Sequence, residues 1–322
     1  MNMKTIIPMM AIAAMPLTGM AQSGSKSGLV EKNLDKTVRP QDDFYRFATG
    51  GWQKNNPLPP AYSRFGSFDQ LQEDNNKRIN SILKELQSKK YPKGTVEQKL
   101  SDFYKLAMDS VRRNKEGIAP VKALLDEMEA ATTKEALQKL QLKYASMGYG
   151  VAFESYFGAD EKNASMNILN IGQGGLTLGQ KDYYVNNDAA TVAIREAFKR
   201  HIARMFKLYG FSDAQASAKS EAVFRNETLL ALVSKSMTEL RDPQANYNKM
   251  TLKEFEANYP NIPLAALSEA EGVKHDYIQE LVVGQPQFMT GLDKISALAS
   301  ADELRAAMEW DVIMNSCLLY TS

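Results

Sequence analysis

The chain has 322 residues, 44% of them hydrophobic and 24% charged, with a formal net charge of +1. That is enough material for one large or two modest globular domains, and it gives no electrostatic reason to expect nucleic acid or an anionic membrane as partner. The single cysteine, Cys317, excludes an internal disulfide, so stability has to come from packing.

Residues 1–21 read as a secretory signal peptide: Lys4 gives a positive start, Ile6 to Pro16 is mostly apolar, and Gly19-Met20-Ala21 offers a small-x-small cleavage site before Gln22. An uncleaved anchor is the other reading of this run, which Pro8 and Pro16 interrupt. No other apolar run is long enough to span a bilayer. Residues 22–33 then form a flexible Ser/Gly-rich N-terminus, and the product is expected to be secreted or periplasmic, with no membrane span after cleavage.

Asp42 and Asp43 suit a helix N-terminus, Phe44, Phe47 and Ala48 share one side of two turns, and Gly50 with Gly51 predicts a left-handed stop that closes the helix on Trp52. Pro57, Pro59 and Pro60 force an extended crossing before a second helix begins near Ser67. From residues alone, Phe44, Tyr45, Phe47, Trp52, Phe65 and Phe68 predict an aromatic core knot. Leu71, Ile79, Ile82, Leu83 and Leu86 recur at helical spacing as far as Pro92, and Thr95 with Gln98 caps a helix carrying Leu100, Phe103, Tyr104 and Ala107. Further helices carry Ile118, Val121, Leu124, Leu125 and Met128, and then, after a Thr133 cap, Leu137, Leu140 and Tyr144 up to Gly148 and Gly150. All these stripes are expected to be core faces.

The period then changes. Val151 to Phe157 and Met166 to Ile171 are β-prone runs around a polar turn at Gly158 to Asn163, which predicts a hairpin. Gly172, Gly174 and Gly175 lack the spacing of a phosphate loop and read as a loop with positive dihedrals. Helices resume from Asp188 to a Gly210 stop and from Ser212 to about Leu240. Thr251-x-x-Glu254 opens a short one, Leu281 to Val283 reads as a strand, Pro286 starts a helix, and Ser300-x-x-Glu303 caps the last, with Leu304, Met308 and Ile313 apolar.

Zinc proteolysis ordinarily needs two histidines on one helix face with a glutamate between them and a third ligand. The only histidines are His201 and His275, neither with a histidine four positions on, and each is expected to be structural or solvated. No G-x-S-x-G is present, and no Asp/Glu pair for glycoside cleavage stands out by spacing.

Three runs in the opening segment, Asp42-Asp43-Phe44-Tyr45, Gly50-Gly51-Trp52 and Ser63-Arg64-Phe65-Gly66-Ser67-Phe68-Asp69, occur in this order around the proline crossing. Together they resemble the N-terminal signature of the M13 (neprilysin-like) zinc metallopeptidases. Gly174-Gly175-Leu176, Asp182-Tyr183-Tyr184, Arg241-Asp242-Pro243 and Tyr247-Asn248-Lys249-Met250-Thr251 look like further landmarks of that family, so the resemblance runs from about Leu34 to Ile313. Where animal members carry cysteines this chain has Gln41 and Thr49, a departure that looks bacterial.

The resemblance implies a mainly α fold: a multi-helical M13 N-terminal (lid) domain over 34–313 with a small β-hairpin, incomplete without the zincin catalytic domain. It assigns no catalytic or metal residue here, because the family's H-E-x-x-H is absent; zinc would belong to the full-length enzyme. Residues 314–322 read as a doubtful tail, either a truncation or a natural end. The implied partners are peptide substrates and a C-terminal catalytic domain, and the chain alone is not expected to cleave. The family's primed-side contacts match Arg64, Phe68 and Asp69: a guanidinium for a peptide's terminal carboxylate and an apolar wall beside it. Read without the family, Arg64 is a surface ion pair and Phe68 is core. A further family arginine is replaced by Gln72, which weakens carboxylate selection. The competing class is a secreted, non-enzymatic α-helical peptide- or protein-binding module.

Overall fold

A computed structural model of the chain describes residues 30–62, 64–149 and 152–317, without the side chain of Cys317. The predicted leader, Gly150, Val151 and the last five residues lie outside the described residues. The chain divides between Lys105 and Leu106 into two compact units.

The first unit contains α1 (Phe44–Asn55), α2 (Ser67–Gln87) and most of α3 (Val96–Met108). The side chain of Asp43 caps α1 by accepting from the Arg46 N–H at 2.9 Å, as expected of an aspartate at that position. The glycine stop is overturned. Gly50 and Gly51 are helical, neither has a positive φ, and α1 runs on to Asn55. Their role is close approach: a Cβ on Gly51 would sit 2.5 Å from the Lys32 carbonyl oxygen, and one on Gly50 would sit 2.8 Å from the Asp35 Cβ. The glycine side of α1 is therefore the packed side, and the Asp35 N–H donates to the Phe47 carbonyl across it at 2.8 Å.

That packing also overturns the aromatic core knot. Phe44 and Tyr45 point outward, and Phe68 is 85% exposed. Only Phe47, Trp52 and Phe65 are partly buried. The stripes of α2 and α3 are likewise not core: no residue of α2 is buried, and Leu71, Ile79, Ile82, Leu100 and Phe103 are exposed. The helices form as the periodicity requires and touch each other through Gln87–Ser101 and Tyr104–Asn80, but Leu83, Leu86, Tyr104 and Ala107 are only half-buried and the rest of each stripe is exposed.

The second unit continues with α4 (Ser110–Glu116), α5 (Ala119–Ala130), α6 (Lys134–Ala145), β1 (Phe153–Asp160), β2 (Asn163–Gln173), α7 (Asp182–Val185), α8 (Ala189–Leu208) and α9 (Asp213–Val233). After these come β3 (Asn248–Thr251), α10 (Leu252–Asn258), α11 (Leu264–Ala270), β4 (Glu280–Val283), α12 (Pro286–Leu298) and α13 (Ala301–Cys317). The predicted caps Thr133, Thr251 and Ser300, and the predicted helix starts Asp188 and Ser212, each accept from the backbone three residues on. Gly210, at φ +95°, ends the run after α8. Helix α9 stops at Val233 rather than near Leu240, and α13 continues as regular helix through residues 314–317 of the doubted tail.

The hairpin forms, with Phe157 opposite Leu169, but its turn is Glu161-Lys162 and Gly158 lies inside β1. It is also only half of the sheet. The strand order is β1-β2-β4-β3, with β4 parallel to β2 and β3 antiparallel to β4. Strand β3 escapes a sequence reading because four residues, Asn-Lys-Met-Thr, have no periodicity of their own; pairing with β4 makes the strand. One core gathers buried side chains of α5, α6, α8, α9 and α13, and a second packs the sheet against α10, α11, α12 and Leu230 of α9.

In the first core Lys219 of α9 bridges two carboxylates, Glu309 of α13 at 2.6 Å and Glu129 of α5 at 2.7 Å, with the rings of Phe206 and Phe211 over its ammonium. Glu309 is fully buried and its Oε1 has no hydrogen-bond partner among the described residues. Burial, helped by the Glu129 carboxylate, pushes the Glu309 carboxyl up to about 8.

Two outcomes are expected. Gly51→Ala has to push backbone aside and should cost about 1–3 kcal/mol of first-unit stability, read as a lower urea midpoint by Trp52 fluorescence. Folded Glu309 holds its proton to about pH 8 whereas the unfolded side chain releases it near 4.5, so the folded state carries the extra proton between those values. Stability should fall as pH rises through that window, by up to about 1.4 kcal/mol per pH unit, and level off above it. Glu309→Gln should flatten that slope in denaturation curves taken from pH 5 to 9.

Candidate functional site

The candidate site of the first unit is the junction between α1 and α2. After the prolines the chain turns back, with the Tyr62 N–H donating to the Pro59 carbonyl at 3.0 Å. Phe65 stacks on Trp52 with ring centroids 6.2 Å apart and takes the edge of Tyr62 at 5.1 Å. The Tyr62 hydroxyl donates to Glu73, two turns into α2, and this bond holds the phenol above its usual range. The Gly66 N–H donates to the Asp69 carboxylate at 2.8 Å, satisfying one of the free amides at the start of α2.

A cavity of about 570 Å³ opens at this junction, with Tyr45, Trp52, Gln53, Arg64 and Phe65 among its walls. Arg64 is exposed and has no hydrogen bond or ion pair among the described residues, so the expectation of a surface ion pair is not met. Phe68 stands on the first turn of α2, outside this cavity, and is the most solvent-facing aromatic of the segment rather than core. Asp69, half-buried, spends a carboxylate oxygen on the Gly66 amide. Of the three residues predicted from sequence, only Arg64 lines the cavity. An aromatic wall beside an unpaired guanidinium is suited chemically to an anionic group carried next to an apolar one.

The second unit holds a buried polar knot that sequence reasoning missed. Glu227 of α9 is buried; its carboxylate accepts from the Thr177 N–H at 3.1 Å, from the Thr177 hydroxyl at 2.6 Å and from the Tyr184 hydroxyl. The Trp310 indole N–H donates to the Thr177 hydroxyl at 3.0 Å, and the Leu178 N–H to the Tyr184 oxygen at 3.0 Å. Burial raises the Glu227 carboxyl and the Tyr184 phenol above their ordinary values. The knot forms part of a second cavity, of about 460 Å³, walled also by Leu230, Leu292, Met308 and Met314. The available signal was Glu227 itself, a charge set between Val223 and Leu230 on the inward side of a helix. Of the glycines expected to carry positive dihedrals, Gly175 does, at φ +74°, whereas Gly174 does not and serves close approach instead, since a Cβ on it would meet the backbone of β1 at 3.2 Å. Gly172, by contrast, is ordinary strand.

The other landmarks are structural. Asn246 donates to the carbonyls of Glu239, Leu240 and Asp242, and Gln285 and Lys235 donate to its side-chain oxygen. The Tyr247 hydroxyl donates to the Asp160 carboxylate at 2.8 Å, tying the hairpin end to β3. His201 lies edge-on to Trp310, and exposed His275 sits between Glu269 at 2.6 Å and Asp276 at 3.0 Å, partners that raise its pKa, Glu269 foremost. Among the described residues no three His, Cys, Asp or Glu side chains are grouped to hold a metal, so the donor set present does not fit a zinc ion. No helix among them is long and apolar enough to cross a membrane.

Comparison with known proteins places these features in a family. Residues 40–322 match the family model of peptidase family M13. Human neprilysin is 26% identical over 317 residues, covering 88% of this chain and 41% of its own length. Human endothelin-converting enzyme 1 is 28% identical over 245 residues, covering 74% of this chain and 31% of its own. The solved structure of the Mycobacterium tuberculosis zinc metalloprotease Zmp1 shares the fold, with a TM-score of 0.81 at 23% identity over 92% of this chain and 45% of that one. The chain thus spans less than half the length of each of these relatives. With the mainly α fold, the glycine-packed opening helix and the match over nearly all its length, the chain belongs to peptidase family M13 and is related to zinc metallopeptidases.

Proposed function

We propose that this chain is the N-terminal, substrate-facing part of a secreted or periplasmic zinc metalloendopeptidase that hydrolyses peptides. The observation that carries the reading is the M13 match over residues 40–322 in a chain covering less than half of its relatives. In this reading the zinc, its ligands and the general base belong to a C-terminal catalytic region, and the described residues supply wall and cover. Arg64 presents its guanidinium to the terminal carboxylate of a bound peptide, Phe68 offers an apolar surface to a neighbouring side chain, and Asp69 supports the loop between them.

The exposed apolar stripes on α2 and α3 favour a second reading, a secreted binding module without enzymatic activity that uses those faces to hold a peptide or protein. Assay of a fluorogenic peptide with and without chelator separates the two. The first reading expects no turnover by this chain alone and chelator-sensitive turnover once the C-terminal region is joined to it; no turnover by the joined form would overturn it. In that joined form Arg64→Ala should raise KM for short peptides with a free C-terminus by about 10-fold or more and leave amidated ones unchanged. Equal kinetics for the two peptide classes in the parent enzyme would remove that role from Arg64.

A further inference from the structure

We propose that Tyr62 and Glu73 form a positioning latch for Arg64. They pin the returning arm to α2 on the N-terminal side of Arg64, and the Gly66–Asp69 bond pins it on the C-terminal side. The proposal rests on the reading of Arg64 as a carboxylate contact, and it assigns a role to two residues outside the family signature.

Asp69 and Glu73 are four residues apart on α2, so their carboxylates stand one turn above the other on the same face. Each takes one donor from the arm: the Tyr62 hydroxyl goes to Glu73 and the Gly66 amide to Asp69. In sequence, Arg64 lies midway between the residues that supply those two donors. On its far side Phe65 is clamped between the faces and edges of Trp52 and Tyr62, so the same tyrosine that reaches Glu73 also holds the ring next to Arg64. Tyr62, Phe65 and Gly66 are thus fixed to the two helices, while the Arg64 guanidinium at the cavity wall has no hydrogen bond or ion pair among the described residues. A flexible arm would lose conformational freedom when its cation met a ligand, and that cost would come out of the affinity; an arm held beforehand does not incur it. Glu73 is suited to this because the Tyr62 hydroxyl is its hydrogen-bond partner and the adjacent cation Lys77 pairs with Asp74 instead.

The test uses the full chain with four variants: Tyr62→Phe, which keeps the ring on Phe65 and removes only the hydroxyl, Glu73→Ala, Glu73→Gln, which keeps an acceptor, and Arg64→Ala. Acrylamide quenching reports the arm directly, because Trp310 is buried and Trp52 is not. Tyr62→Phe and Glu73→Ala should increase quenching, and Glu73→Gln should not. Binding is read by calorimetry with a tripeptide ending in phenylalanine, as free acid and as amide. Tyr62→Phe and Glu73→Ala should each weaken the free acid about tenfold and spare the amide, with Glu73→Gln near the parent. Because the latch acts only through Arg64, Arg64→Ala combined with Glu73→Ala should be no worse than Arg64→Ala alone. If Arg64→Ala weakens the free acid but the two latch variants do not, or if their effects add to it, the positioning role is wrong and the Arg64 reading stands. If Arg64→Ala has no effect on the free acid, the Arg64 reading itself fails. Unchanged quenching in Glu73→Ala would show that the arm does not depend on the latch.

Discussion

The second unit depends on one buried carboxylate. Glu227 sits on the inward side of α9, between the two cores, where an ionised group would be costly unless its lone pairs were filled. They are filled by a loop amide, a loop hydroxyl and a tyrosine from α7, and the loop hydroxyl in turn takes the indole of α13. Elements far apart in sequence are thereby held to α9 by donors aimed at a single side chain. A network of this kind is satisfied only in one arrangement, so it specifies the packing as well as stabilising it. The glycines just before Thr177 let this loop pass close against β1 on its way to Glu227.

The first unit follows a different rule. Its close contacts are made by backbone, through the glycines of α1, and by a short arm whose aromatic residues stack on one another. Its helices keep their regular apolar periodicity, yet much of those faces is exposed. Complete burial of a Leu or Ile is worth about 1.5–3 kcal/mol, and Leu71, Ile79 and Ile82, each more than half exposed, realise only part of it.

Much of the local structure was legible in the sequence. Caps at Asp43, Thr133, Asp188, Ser212, Thr251 and Ser300 marked helix starts because capping is settled by residues three positions apart. The ordered motifs single out Arg64 in the sequence, and the structure places it at a cavity wall. Glu73 was not legible, because nothing in Gln72-Glu73-Asp74 distinguishes a tyrosine's acceptor from an ordinary surface acid.

The sequence by itself determined which segments become helices, where they start, that a hairpin lies between them, and to which family the opening motifs point. Those properties rest on periodicity and on contacts within a few residues. Tertiary structure alone decided that Gly50 and Gly51 serve close approach rather than a stop, that Asn248 to Thr251 is a strand, and that the stripes of α2 and α3 remain exposed. In the first two cases the deciding partner lies on another element, at a distance that no local pattern encodes: the Lys32 carbonyl for Gly51 and strand β4 for β3.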